Sequence, residues 1–178
     1  MQVMRLKQLF FSTFLLISMA LPGCQTRDRA QQQEEEQIAT LLDQFNQAAA
    51  AGNFEAYFGF FAADAIFIGT DGTERWNKKD FMQWSKPYFD RGKAWDFTSI
   101  ERHISFSKSG EMAWFDELLE TQMKLCRGSG VLEKDENGWK ITQYVLSMTI
   151  PNSLTDTVVS LKSGIETKLI EEIKLTVK

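Results

Sequence analysis

The hydrophobic period of the chain changes once, near Lys93, and this change restricts the fold more than any other feature. Before it, apolar residues recur at helical spacing. Ile38, Leu41, Leu42, Phe45 and Ala49 mark one face of a first helix. Acidic residues 34–36 lie in its first turn, where the helix dipole favours negative charge, and Gly52 stops it. Asn53 can cap a second helix with Phe54, Tyr57, Phe58 and Phe61 on one side. A short strand is expected at 65–69 and a turn at Asp71-Gly72. Asn77 then caps a third helix lined by Phe81, Trp84 and Tyr88, with Gly92 beyond its end. After Lys93 the pattern is that of four strands, at 95–107, 111–123, 125–134 and 139–150. Ser109-Gly110 and Asn137-Gly138 mark tight turns, whereas the second and third of these strands have no comparable signal between them. Pro151 ends the last strand, and Leu154, Val158 and Leu161 suggest a terminal helix. Helices followed by a meander give an α+β fold. The expected form is a cone: a curved antiparallel sheet packed over three N-terminal helices, with a cavity at its open end.

The N-terminus has a different task. Arg5 and Lys7 precede an apolar run at 9–20, too short to cross a ~30 Å hydrocarbon core as a helix. A positive flank and a short apolar run form an export signal. The run ends in Leu21-Pro22-Gly23-Cys24, which resembles the lipobox of bacterial lipoproteins, where a small residue precedes the acylated cysteine. The alternative is plain secretion with cleavage after Ser18-Met19-Ala20. The first reading makes 1–23 a signal peptide, Cys24 the lipidation site and 24–33 a polar tether. It places the protein in the cell envelope, membrane-bound through lipid alone. Gln25 favours the outer membrane, facing the periplasm, if the cell is Gram-negative. Loss of Arg5 and Lys7 makes the formal charge of −4 two units more negative. An acidic body without a basic stripe does not suit nucleic acid. With Cys24 lipidated, Cys126 is alone and is expected to be a small core residue.

Four stretches carry a family resemblance. They are Phe67-Ile68-Gly69-Thr70-Asp71-Gly72, Ala113-Trp114-Phe115-Asp116-Glu117, Arg127-Gly128-Ser129-Gly130-Val131-Leu132, and Gly138-Trp139-Lys140-Ile141 through Ser147 to Ile150-Pro151-Asn152. In order and spacing they resemble the SnoaL-like branch of the nuclear-transport-factor-2-like superfamily. This gives a SnoaL-like domain at 34–152 and a C-terminal helical extension at 153–178. The resemblance implies the cone fold, but it does not imply one activity, because the superfamily includes cyclases, isomerases, dehydratases and transport factors.

Candidate site residues follow from strand alternation. Asp116 and Glu117 are neighbours on one strand, so only one can face the cavity. Because relatives use an acidic or histidine base from the sheet, Asp116 is the expected inward group and candidate base, with pairing to Arg127 as the alternative. On the last strand Trp139, Ile141, Gln143, Val145 and Ser147 share one face, and relatives often carry His or Asn where Val145 stands. The expected pocket is lined by Tyr57, Phe58, Phe61, Phe67, Trp76, Trp84, Trp139, Ile141, Gln143 and Val145, with Arg127 as a polar candidate. His103 has no second ligand nearby in sequence, and no phosphate loop, nucleophile elbow or paired-cysteine motif appears, so neither metal nor cofactor is expected. Three functions compete: binding of a small apolar or aromatic molecule, homodimerisation through an outer face carrying Tyr144, Leu146 and Met148, and acid–base catalysis by Asp116.

Overall fold

The computed structural model describes residues 23–176, with side chains from Arg29 onward. The export signal and the side chain of Cys24 lie outside the described residues. The first helix, α1, spans Gly23–Ala50. It starts well before Glu34, because the polar stretch expected to be a tether is built largely of Gln, Arg and Ala, which favour helix. Ile38, Leu42, Phe45 and Ala49 on α1 are buried. Asn53 caps α2 (Phe54–Gly59) by accepting from the Ala56 amide at 3.1 Å. Asn77 caps α3 (Lys78–Phe89) through the Asp80 amide at 2.9 Å. Phe61, expected on the second helix, opens the first strand.

Six strands form one sheet in the order β2-β1-β6-β5-β4-β3. They are β1 (Phe61–Ile68), β2 (Arg75–Asn77), β3 (Thr98–Phe106), β4 (Met112–Thr121), β5 (Lys124–Asp135) and β6 (Gly138–Met148). β1 runs parallel to β6, and all other pairs are antiparallel. The β4–β5 turn has no glycine. Lys124 adopts φ +71° there, while Thr121 Oγ1 accepts from the Met123 amide and donates to the Lys124 carbonyl, both at 2.9 Å.

A bulge in β6 decides which side chains enter the cone. Leu132 pairs with Ile141 but Val131 pairs with Gln143, so Thr142 is an extra residue. One inserted residue exchanges the two faces of everything after it. Trp139 and Ile141 are buried as expected, but beyond the bulge Tyr144 and Leu146 are the buried residues. Gln143 is exposed and Val145 only partly covered, so neither lines a cavity.

Aromatic rings fill the cone. Phe45 stacks on Tyr57 at 4.4 Å, Phe67 stacks on Phe81 at 3.9 Å and lies 5.6 Å from Tyr144, and Phe115 lies 6.0 Å from Tyr144. Burying such side chains contributes ~1.5–3 kcal/mol each before chain entropy. Cys126 is free and fully buried among them. The chain ends in α4 (Thr155–Thr176), a helix with no buried residue. Among the described residues no helix is long and apolar enough to cross a membrane.

Candidate functional site at the mouth of the cone

The inward set on β4 is Ala113, Phe115, Glu117 and Leu119, all fully or almost fully buried. This reverses the expectation for the two carboxylates. Asp116 faces outward and pairs with Arg127 at 3.0 Å, both side chains about half exposed. It cannot act as a base inside the cone, and Arg127 lines no cavity either. The opposing strand sets the phase. Gly128 stands beside Glu117 and Gly130 beside Phe115. A Cβ on Gly128 would lie 2.6 Å from the Tyr144 hydroxyl, so the missing side chain makes room for Tyr144 to reach across β5.

Glu117 has no solvent exposure, and its Oε2 accepts from Arg102 Nε at 2.8 Å and lies 2.7 Å from Arg102 Nη2 in an ion pair. Arg102 also donates to the Ala39 carbonyl at 3.0 Å and meets Asp43 at 2.9 Å, fastening the sheet to α1. Burial raises the Glu117 pKa above the ordinary carboxylate value, and the Arg102 charge opposes the rise. Burial, then the Glu117 charge, hold the Tyr144 hydroxyl well above its usual pKa. Glu117 Oε1 and Tyr144 Oη have no hydrogen-bond partner among the described residues. Neither residue lines the pockets described below, and through Arg102 the cluster ties the sheet to α1.

The usable space lies elsewhere, at the wide end of the cone. A pocket of about 210 Å³ is lined by Phe67, Trp76, Phe81, Trp84, Tyr88, Trp95, Phe97, Met123 and Leu146, with Gly69, Thr70, Glu74, Ala94 and Gln122 at its edge. Its rings are held in a continuous array. Trp76 stacks on Trp84 at 4.7 Å, Trp84 lies 5.1 Å from Tyr88, and Phe81 stacks on Trp95 at 6.0 Å. Trp84 and Tyr88 remain 40% and 37% exposed, so part of the array faces solvent. A wider groove of about 600 Å³ beside it is lined mainly by polar residues, including Lys93, Asp96, Thr98 and Glu120.

Of the residues expected to line the pocket, Phe67, Trp76 and Trp84 do so. Tyr57, Phe58 and Phe61 are fully packed core, which leaves no room beside them. Trp139 and Ile141 are buried near the other end of β6. There Trp139 Nε1 donates to Glu34 Oε2 at 2.7 Å, tying α1 to the sheet. The expected lining did not include Glu74, Phe81, Tyr88, Trp95, Phe97, Met123 or Leu146. The alternation Trp95-x-Phe97, just before β3, was the available sign. His103 is exposed beside Glu101, and no group of three or more potential metal-binding residues occurs among the described residues.

The model of the SnoaL-like domain family matches residues 38–151. The chain belongs to the SnoaL-like family. Solved structures agree on the fold. A nuclear-transport-factor-2-like protein of unknown function from Pseudomonas putida is 12% identical, with a TM-score of 0.57 over 66% of this chain and 88% of its own. A Nostoc punctiforme domain of unknown function with a cystatin-like fold is 18% identical, with a TM-score of 0.58 over 82% of this chain and 96% of its own. No curated protein matches. At such identities the likeness carries the fold of this SnoaL-like domain and not its chemistry.

Proposed function

We propose that this SnoaL-like domain is exported, anchored through lipid on Cys24, and holds a small apolar or aromatic molecule in its mouth pocket without turning it over. The observation that carries the reading is the ring array of Trp76, Trp84, Tyr88 and Trp95 around about 210 Å³ of space. Pockets with apolar walls and few polar groups are the usual form of small-molecule sites. A cavity of ~150 Å³ accepts benzene, so this one suits a single ring with a short substituent. Acid–base turnover needs a poised proton donor or acceptor at the substrate. The buried carboxylate Glu117 does not line this pocket, and Glu74 is the one carboxylate that does.

Quenching of tryptophan fluorescence by single-ring aromatics tests the reading. Trp84→Ala should weaken binding at least ten-fold. Trp139→Ala, near the far end of β6, should leave it unchanged in protein that remains folded. Chemical conversion of a bound ligand would sink the non-catalytic part. The anchor is tested separately: mass spectrometry of the mature protein should show an acylated Cys24, and an unmodified terminus at Leu21 would make the protein a secreted one.

A second reading, a dimerising module, is favoured by one observation. Trp114 projects from the outer sheet face and is half exposed.

A further inference from the structure

We infer that the mouth pocket selects cationic ligands: a one-ring or compact alkyl body carrying an ammonium group. The inference rests on reading this pocket as a ligand site and goes on to specify the ligand's charge. Glu74 is the only charged residue in the lining, and no Lys, Arg or His joins it. Its carboxylate is held in place by the local chain. Glu74 Oε2 accepts from the Asp71 amide at 3.2 Å, and the Gly69 amide donates to the Glu74 carbonyl at 2.9 Å. A Cβ on Gly69 would lie 2.2 Å from Oε2, so the absence of that side chain gives the carboxylate its position.

The rings act in the same direction. The faces of Trp and Tyr carry the negative end of the ring quadrupole and attract cations within ~6 Å, Trp most strongly. Tyr88 already attracts one cation, since the Arg91 guanidinium lies 5.3 Å from its ring centre. Trp76, Trp84 and Trp95 have no comparable partner among the described residues. A carboxylate in the lining of a largely apolar pocket favours a cation and opposes an anion. The acidic charge of the whole chain adds long-range attraction of the same sign. Thr70 and Gln122, also at the edge, can hydrogen-bond to a ligand without altering this preference.

Three probes share one skeleton and differ in charge: 2-phenylethylammonium, 2-phenylethanol and 3-phenylpropanoate. They are titrated into the full-length protein in detergent with tryptophan fluorescence as the readout. The ammonium should bind roughly ten-fold more tightly than the alcohol, and the carboxylate most weakly. In Glu74→Gln, which keeps an acceptor for the Asp71 amide, the ammonium's preference over the alcohol should shrink to the smaller part that the ring faces supply, and the alcohol's own affinity should be unchanged. Equal affinities in the unmodified protein, or tighter binding of the carboxylate, would overturn the inference and leave the pocket reading intact. A preference that is undiminished in Glu74→Gln would overturn the role given to Glu74. Failure of all three probes to bind would overturn the pocket reading itself.

Discussion

Arg102 is the residue on which most of the buried polar structure depends. It is almost covered, and its guanidinium meets Glu117, the Ala39 carbonyl and Asp43. Removing one partner from a buried ion pair leaves an uncompensated charge and typically costs ~3–5 kcal/mol. Arg102→Met should therefore destabilise the domain by about that amount in urea unfolding, and Glu117→Gln added to it should recover much of the loss. The pH dependence gives a second check. The folded-state pKa of Glu117 is already raised above 4.5. A carboxyl raised in this way contributes stability below its unfolded value and loses that contribution as pH rises through its folded value. Arg102→Met removes the main opposing influence and raises the Glu117 pKa further. The variant's deficit relative to the parent should then grow as pH rises from about 4.5 toward neutrality. A deficit that does not change with pH would mean that Glu117 is not the group left unpaired.

At the scale of elements, α4 should be dispensable for folding. None of its residues is buried, and Leu161, Ile165 and Leu175 are 77%, 74% and 75% exposed. Its approach to the body is slight, with Leu169 facing the turn at Gly72. Ending the chain at Leu154 should change urea stability by less than ~1 kcal/mol, and a larger loss would show that α4 contributes to the core. The apolar spacing of Leu154, Val158 and Leu161 marks only the first turns of this helix, because Gly164 and the charged residues after it blur the period. The other helices were legible because their caps and apolar stripes agree. The strands were legible from alternation and from the Gly110 and Gly138 turns. Alternation alone could not show the phase. β4 carries apolar residues on both faces, with Trp114 and Leu118 opposite Phe115 and Leu119, so Asp116 and Glu117 were equally eligible to face inward. The deciding signal lay on the partner strand, where Gly128 and Gly130 leave room for large inward residues. The β6 bulge had no local sign at all. Thr142 is an ordinary strand residue, and the bulge follows from fitting a long strand to a curved sheet. That single insertion moved Gln143 and Val145 out of the expected pocket and Tyr144 and Leu146 into the core.

At the scale of the whole molecule, the same insertion changes where a second copy could sit. Tyr144 and Leu146, expected on an outer dimer face, are spent on the protomer's own core, and Met148 lies at the end of β6 beyond it. The outer face of the central strands instead presents Trp114 and Leu118 on β4, Val131 on β5 and Val145 on β6. Trp114 and Val131 are direct partners, whereas Leu118 stands beside Arg127 and Val145 beside Ser129. Four strands ~4.8 Å apart and roughly ten residues long offer on the order of 600 Å² per protomer. That is near the lower limit for a stable interface, so a dimer formed here would be modest in strength and would depend on its largest side chain. Light scattering on residues 24–178 should give twice the monomer mass at tens of micromolar. Trp114→Glu should return it to a monomer with little loss of folding stability, because Trp114 is already half exposed in the protomer. Ligand binding should be unaffected, since the pocket opens on the concave side of the sheet. A parent protein that is monomeric at tens of micromolar would eliminate the dimer. A dimer that persists in Trp114→Glu would place its interface elsewhere, and the exposed apolar residues of α4 would be the next surface to mutate.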